Sequence, residues 1–408
     1  MNIATNVSLP AQGSDALGIE KLPTDFYVCE NHYRSELENV FSKCWLMVGR
    51  ETDLAKSGDF FTYKIDALSV SIIVVRGKDG IIRAFRNACT HRGTKIVTEE
   101  RGRLRGGMIC PYHGWAFGLD GDLLNVPDEE TFGCLDKDNE GLHTVSLDKW
   151  GGFIFINLDP HPQWSLKEYL APLGEDLIKY VGDEQWTWSF GWKSRVKSNW
   201  KSPVDAQVEG YHITYGHRRT ISRNVTAETT RPYINPGSIG VPGGHHLFRP
   251  EKLGEQTPIG LLAARYGATS LYAEPEKEFA ANNFDQLAFS QHPRWILDGY
   301  LLFPNTVLFV QKGQLFIQRT LPLSPHECLW EVDFYHSEKP QKFGEKFNHE
   351  QGRIQIRDVL SEDLKIVEGI QENYRSGAIK EMNLSRQEVI IRAYYHSIRQ
   401  FVEEGSSR

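Results

Sequence analysis

The sequence predicts an α+β protein of two domains. A small all-β domain spans residues 45–160, and residues 161–408 form a larger domain in which an antiparallel β-sheet is covered by helices. A helical segment over residues 1–44 packs on the larger domain. Three observations carry this reading. A chain of 408 residues with 40% hydrophobic content can bury two cores. From Trp45 to Pro160 short β-branched and apolar runs are separated by turn residues. After Pro160 helical spacing and strand alternation succeed one another.

In the first domain Ser69–Val75 reads as a strand, and Lys78-Asp79-Gly80 turns it into a second, Ile81–Phe85. Asp120-Gly121 repeats the device between Ala116–Leu119 and Leu123–Val126, and the apolar run Gly152–Leu158 closes the domain. In the second domain Leu166–Tyr180 has helical spacing, Trp186–Val196 alternates like a strand, and Asn199–Ile213 returns to helix. The tract from about Thr220 to Pro293 shows little periodicity and carries Pro232, Pro236, Pro242, Pro250 and Pro258. An irregular stretch this long, with aromatics in it, reads as a lid or a channel wall. Strands over Tyr300–Val310, Gln314–Leu321 and Cys328–Tyr335 follow, then a long helix over Glu345–Gln371 and a last helix over Arg386–Glu403.

The formal net charge is −7, with acids and bases interspersed and no basic stripe for nucleic acid. Met1 to Gln12 is polar and lacks the pattern of a secretory signal. No apolar run reaches the roughly 18–20 residues of a membrane span. Of the six cysteines, Cys29, Cys44, Cys134 and Cys328 show no pairing pattern and read as buried thiols in a reducing cytoplasm. The expectation is a soluble cytoplasmic protein.

Two short motifs carry the chemistry. Cys89-Thr90-His91-Arg92-Gly93 is followed, nineteen residues after His91, by Cys110-Pro111-Tyr112-His113-Gly114-Trp115. Each supplies one thiolate and one imidazole. A Rieske-type [2Fe–2S] cluster needs two sulfurs on one iron and two ring nitrogens on the other, here Cys89, Cys110, His91 and His113. A zinc ion would use the same ligand count. It would not need Arg-Gly after the first His or Gly-Trp after the second. Glycines at 93, 106, 107 and 114 let backbone N–H groups approach the cluster sulfides.

A second polar cluster lies at Asp205–His217. On a helix at about 100° per residue, Asp205, Glu209 and His212 fall within about 60° of one another. His217 lies about 140° from His212, and Gly216 offers the break that would bring it round. An ordinary charged helix face with two incidental histidines is the alternative. The long C-terminal helix adds an independent signal. Its apolar seam runs Ile356, Leu360, Val367, Ile370, and the seam position between Leu360 and Val367 is Asp363. A carboxylate in an apolar face calls for a partner or a metal. Asp358 and Glu362 lie off the seam and read as solvated. His212, His217 and Asp363 make the two-His-one-carboxylate triad of non-haem Fe(II) sites. His245 and His246, in a Gly-rich stretch, read as exposed or substrate-facing rather than as a further metal site.

With these motifs, the chain resembles from end to end the large catalytic (α) subunit of Rieske non-haem iron ring-hydroxylating oxygenases. Val40-Phe41, Trp45, Val48-Gly49-Arg50, Asn199-Trp200-Lys201 and Ser361-Glu362-Asp363 with Glu368 and Gln371 look like its further landmarks. The resemblance implies a Rieske domain followed by a catalytic domain of helix-grip, START-like fold. It implies a [2Fe–2S] Rieske cluster, a mononuclear Fe(II), O2 and a small organic substrate. It also implies that a carboxylate three residues before the first iron His bridges the two metal centres across a subunit interface; Glu209 and His113 occupy the matching positions. Most relatives have Asp there. A minority with Glu includes oxygenases of quaternary ammonium compounds. Asp205, one turn upstream, is the competing bridge.

The chain shows no dinucleotide-binding glycine fingerprint, so electrons are expected from a separate NAD(P)H-dependent reductase, with or without a ferredoxin. Cross-subunit transfer implies a homotrimer, with or without a small β subunit. His91 and His113 couple proton to electron delivery. The substrate would sit in an apolar pocket walled by Phe289, Leu301, Phe303, Phe309 and Phe316, with Arg218, Arg219 and Arg249 as candidates for recognising a carboxylate. The favoured reading is hydroxylation of an aromatic or cyclic compound, dioxygenation ahead of monooxygenation. The alternatives are oxidative demethylation or quaternary-ammonium cleavage, and a non-catalytic electron carrier.

Overall fold

The computed structural model describes residues 17–182, 186–222, 225, 229–250, 258–266, 294–311, 313–337 and 339–405. The chain forms two units, Phe41–Leu166, and Met1–Val40 together with Lys167–Arg408.

The unit Phe41–Leu166 is all-β. Its strands are β1 (Leu46–Arg50), β2 (Asp59–Ile65), β3 (Val70–Arg76), β4 (Ile82–Arg86), β5 (Arg101–Arg103), β6 (Met108–Ile109), β7 (Ala116–Phe117), β8 (Leu123–Asn125), β9 (Thr144–Trp150) and β10 (Phe153–Asn157). They form a seven-stranded sheet, β1-β10-β9-β4-β3-β2-β5, and a small sheet, β6-β7-β8. Ile73, Val75, Phe85, Met108 and Phe117 bury the face between them, and Cys89, Cys110 and Trp115 sit in the same core. Each Cys/His motif therefore leaves a strand end: one follows β4, the other joins β6 to β7. Asn87 braces the first loop, its Oδ1 accepting from the amides of Ile96 (2.9 Å) and Val97 (3.0 Å).

The second unit begins with helix α1 (Glu30–Glu36) and continues through α2 (Leu166–Tyr169), α3 (Glu175–Gly182), β11 (Thr187–Val196), α4 (Lys201–Gln207) and α5 (Ile213–Gly216). Then come β12 (Thr230–Ile234), β13 (Gly243–Phe248), α6 (Pro258–Tyr266), β14 (Trp295–Leu302), β15 (Thr306–Gln311), β16 (Gln314–Ser324), β17 (Glu327–His336), α7 (Phe343–Arg375) and α8 (Val389–Gly405). The antiparallel sheet runs β11-β17-β16-β15-β14-β13-β12. Helix α7 ends where Gly377, at φ +73°, takes the left-handed conformation that closes a helix C-terminus. Among the described residues no helix is long and apolar enough to cross a membrane.

Five expectations change. The helix expected over Leu166–Tyr180 is two, α2 and α3, because Pro172 and Gly174 interrupt it. The strand expected over Tyr300–Val310 is two, β14 and β15, turning at Phe303–Asn305. The irregular tract holds β12, β13 and α6. Its prolines and glycines hid the strands, yet glycine is required there: a Cβ on Gly244 would stand 2.2 Å from the Gly299 carbonyl of the neighbouring strand. Residues 251–257 and 267–293 of that tract, Phe289 among them, lie outside the described residues. Fourth, Cys134 is exposed and Cys29 half-buried, whereas Cys44 and Cys328 are buried.

The fifth change matters most for the site. The expected helix Asn199–Ile213 stops at Gln207. One oxygen of the Glu209 carboxylate accepts from the backbone amides of Tyr211 and His212, the latter at 3.1 Å. A side chain that captures local amides competes with the helical ladder. Gly210 also abuts Thr230, whose Oγ1 would lie 2.3 Å from any added Cβ. Asp205, Glu209 and His212 therefore do not share one helical stripe.

Candidate functional site

His212 and His217 flank the single turn α5, His212 as its N-cap and His217 as its C-cap. Their Nε2 atoms lie 3.0 Å apart, with the rings at 69°. Gly216 serves by its lack of a side chain: a Cβ would meet both His212 Cδ2 and Ile366 Cδ1 at 3.2 Å. Asp363 comes from α7 and is 1% exposed. Its Oδ1 stands 3.5 Å from His212 Nε2 and 3.2 Å from His217 Nε2. The seam around it is Leu360, Asp363, Val367 and Gln371, all buried, whereas Ile370 is 37% exposed.

The rest of the hydrogen bonding fixes which atoms face inward. Glu209 Oε1 pairs with His212 Nδ1. Glu362 Oε2 pairs with His217 Nδ1 at 3.0 Å and accepts from Thr220 Oγ1 at 2.6 Å. Asp363 Oδ2 accepts from Gln207 Nε2 at 2.8 Å, and Gln207 Oε1 accepts from Gln318 Nε2 at 2.6 Å. A carboxylate on Nδ1 keeps the proton there and leaves the Nε2 lone pair free. Two Nε2 lone pairs and a carboxylate oxygen then converge, and Asp363 Oδ1 is buried without a hydrogen-bond partner. Three converging acceptors repel one another unless a cation sits among them, so these side chains fit a metal ion. Burial pulls the His217 pKa down, but Asp363 and Glu362 outweigh it and raise the pKa above that of an ordinary imidazole. Glu362, expected to be solvated, is an orienting residue; Asp358 is half-buried and pairs with Arg357.

Asp205 turns the other way. Its Oδ2 accepts from Tyr27 Oη at 2.7 Å. Burial, with Glu209 and Glu388, pushes its pKa up to about 7 against the opposing Tyr27 hydroxyl and Lys201. Asp205, Glu209, Tyr211 and His212 line one cavity of about 420 Å³.

In the β unit Cys89 and Cys110 are each 3% exposed, and the His91 and His113 rings meet edge to face at 4.7 Å. His91 stacks on Trp115 at 5.0 Å, and its buried Nδ1 lacks a hydrogen-bond partner, as a metal-ligating nitrogen would in the absence of its ion. Burial raises the Cys89 thiol pKa, while the amides of His91 and Arg92 point at its sulfur and favour the thiolate. The glycines act through conformation: Gly93, Gly106 and Gly114 have φ of +76°, +94° and +74°. The amides of Gly93 and Gly114 bond the Cys89 and Cys110 carbonyls. Among the described residues, His212, His217 and Asp363 form the one group able to close on a single ion, with ligand atoms within 4.8 Å of one another.

Beside the triad lies a second cavity, of about 110 Å³. Phe309 and Phe316 line it as expected; Leu301, in β14, and Phe303, in the turn after it, are buried away from it. His245 lines it too and is 6% exposed, its pKa pushed down to about 3 by burial, His246 and His212. His246 instead pairs with Asp298 at 2.7 Å. Arg218 and Arg219 are exposed and Arg249 is buried, and none of them lines the cavity. The sequence reading missed Gln207 and Thr220, which no spacing marks. It also discounted Glu362, whose adjacency to Asp363 was the available signal.

Comparison with known proteins adds the following. A family model of the Rieske [2Fe-2S] domain matches residues 44–144, and one of the ring hydroxylating alpha subunit (catalytic domain) matches residues 177–404. The carnitine monooxygenase oxygenase subunit of Escherichia coli (strain K12) is 31% identical over 367 residues, 87% of this chain and 84% of that protein. Two crystal structures share the fold. A quaternary ammonium Rieske monooxygenase in complex with an inhibitor gives a TM-score of 0.75 at 22% identity, covering 97% of this chain and 99% of that one. Naphthalene 1,2-dioxygenase from Rhodococcus sp. bound to indole gives 0.74 at 19% identity, covering 96% and 97%.

Proposed function

The chain belongs to the ring-hydroxylating alpha-subunit family of Rieske oxygenases, and from that premise we propose that it oxygenates a small, neutral, largely apolar ring compound. It is the terminal oxygenase component of its system and carries a Rieske [2Fe–2S] cluster and a mononuclear non-haem iron, with electrons supplied by a reductase or ferredoxin. In the proposal Cys89, His91, Cys110 and His113 hold the cluster, and His212, His217 and Asp363 hold the iron. Bound iron, supplied with electrons through the cluster, provides the activation of O2.

The protein's own residues do the rest. Glu209 and Glu362 hold the two imidazoles in the tautomer that ligates through Nε2. Gln207 fixes Asp363 by the oxygen turned away from the imidazoles. Glu209 is also our candidate for the bridge to His113 of the partner subunit in a homotrimer. Its two oxygens already engage His212 by both ring and backbone. Asp205, held by Tyr27, is the weaker candidate.

The observation that carries the substrate class is the lining of the 110 Å³ cavity. Ile213, Ile221, Leu247, Leu297, Phe309 and Phe316 dominate it. Among the described residues it offers no Lys or Arg, and its acids, Glu209 and Asp363, are engaged at the metal site. A buried carboxylate without a partner is heavily penalised, so a zwitterion fits poorly. The volume lies below the roughly 150 Å³ of an apolar cavity that takes up benzene, so it leaves room for no more than a single ring.

A second reading, oxidative cleavage of a quaternary ammonium compound, is favoured by the likeness to carnitine monooxygenase over 87% of the chain. The stacked Phe309 and Phe316 rings, 5.2 Å apart, could face such a cation. A substrate panel run in 18O2 with a surrogate reductase separates the two. We expect neutral single-ring compounds to be hydroxylated and carnitine and glycine betaine to be left intact. The number of 18O atoms per product distinguishes dioxygenation from monooxygenation. Trimethylamine release from carnitine, with rings untouched, would establish the second reading.

A further inference from the structure

We propose that His245 is the specificity-determining hydrogen-bond donor of the substrate cavity, selecting rings that carry an oxygen acceptor such as a carbonyl. The inference deepens the neutral-ring reading above and rests on it.

The sheet provides a seat for this imidazole. In the β13–β14 pairing His245 stands opposite Gly299. A Cβ on Gly299 would lie 2.7 Å from His245 Cε1, 3.1 Å from His245 Nδ1 and 3.0 Å from Phe309 Cε1. The ring thus lies in space that only glycine leaves, and it meets Phe309 at 5.7 Å and 66°. Strand alternation sends the next residue to the other face, where His246 bonds Asp298 and stacks on Tyr233 at 4.6 Å.

What singles out His245 is that its polarity is unused. Among the described residues neither ring nitrogen has a hydrogen-bond partner, and Nδ1 is buried against β14. Nε2 is the nitrogen left to the cavity that the ring lines. Buried N–H groups are almost never left unpaired, whereas a lone pair is tolerated more often. The proton therefore belongs on Nε2, and the ring offers a donor, not an acceptor. The other polar residues of the lining are engaged. Gln207 bonds Asp363 and Gln318, and Gln311 bonds Gln314. His212, His217, Glu209 and Asp363 form the metal site. A polar group seated in an apolar cavity and unpaired within the protein is arranged for a ligand atom.

The test compares two rings of the same shape, benzaldehyde and styrene, which differ in C=O against C=CH2. Equilibrium binding to the iron-loaded protein is measured under anaerobic conditions. Iron content and cluster absorbance are recorded for wild type, His245→Leu and His245→Gln. We expect wild type to prefer benzaldehyde about 5- to 10-fold, the value of one neutral hydrogen bond. In His245→Leu the ratio should collapse to about one, and in His245→Gln, which keeps a donor, it should recover in part. If the leucine variant fails to hold iron, the glutamine variant and wild type carry the comparison. A wild-type ratio near one, equal loss of both ligands, or an unaltered ratio in His245→Leu overturns the inference and leaves His245 a packing residue. Wild-type protein that binds neither ring but binds a quaternary ammonium compound overturns the neutral-ring reading, and His245's role with it.

Discussion

Each imidazole of the triad carries a carboxylate on its Nδ1 side, Glu209 for His212 and Glu362 for His217. Orienting partners of this kind typically set metal affinity within 10–100-fold. Glu362→Gln should therefore weaken iron binding by about that factor in a chelator competition while leaving the cluster spectrum intact; unaltered affinity would reduce Glu362 to a surface acid. Asp205 offers a pH test. Its pKa is pushed up to about 7, against about 4 in an unfolded chain. Between those values the folded protein binds more protons than the unfolded one. Its contribution to stability is then full below about pH 4 and is lost as pH rises through 7. Asp205→Asn should flatten that slope in denaturant titrations across the window, and an identical slope in the variant would contradict the shift. Asp363 was legible in the sequence because it interrupts an apolar seam. Glu362, polar beside a polar residue, breaks no pattern, and its role depends on where His217 arrives from another element.

Helix α7 is more than the carrier of Asp363. One turn and two turns further on, Glu368 and Gln371 capture the segment that leads into α4. Glu368 Oε1 accepts from the Lys197 amide at 3.0 Å, and Gln371 Oε1 accepts from the Asn199 amide at 2.9 Å. The Gln371 amide donates to the Tyr27 carbonyl at 3.0 Å. The landmarks around Asn199 and Asp363, far apart in sequence, are thus two halves of one junction. Gln371→Leu leaves a buried amide and a buried carbonyl unpaired, at about 1–3 kcal/mol each. We expect a lower denaturation midpoint with an unaltered slope; an unmoved midpoint would mean the junction adapts. At this scale the long helix and β16, β17 were legible from periodicity. The break after Gln207 was not, because it depends on a side chain capturing amides two and three residues ahead. Strands β12 and β13 were hidden for a similar reason. Their glycines, read as loop signals, are there because Gly243 and Gly244 press against backbone on either side.

Across the whole molecule the division of labour follows the chain. The all-β unit Phe41–Leu166 holds both Cys/His loops, and the second unit, with Met1–Val40 at its start, holds the triad and both cavities. Family, two-part fold and cofactors were legible because short-range ligand spacing encodes them. The full lining of the cavity was not, since it draws on α4, α5, β13, β14, β15, β16 and α7, and only folding brings these together. The central claim is that electrons stored at the cluster reach the triad iron and end in oxygenation of a neutral ring. A single turnover tests it most directly: protein reduced in advance, freed of reductase, is mixed with a ring substrate and 18O2 while cluster absorbance is followed. The account predicts cluster reoxidation that depends on the ring compound and yields an 18O-labelled ring product, with both lost in Asp363→Ala although its cluster still reduces. Cluster reoxidation without labelled ring product in the wild type, or labelled product from Asp363→Ala, would contradict it.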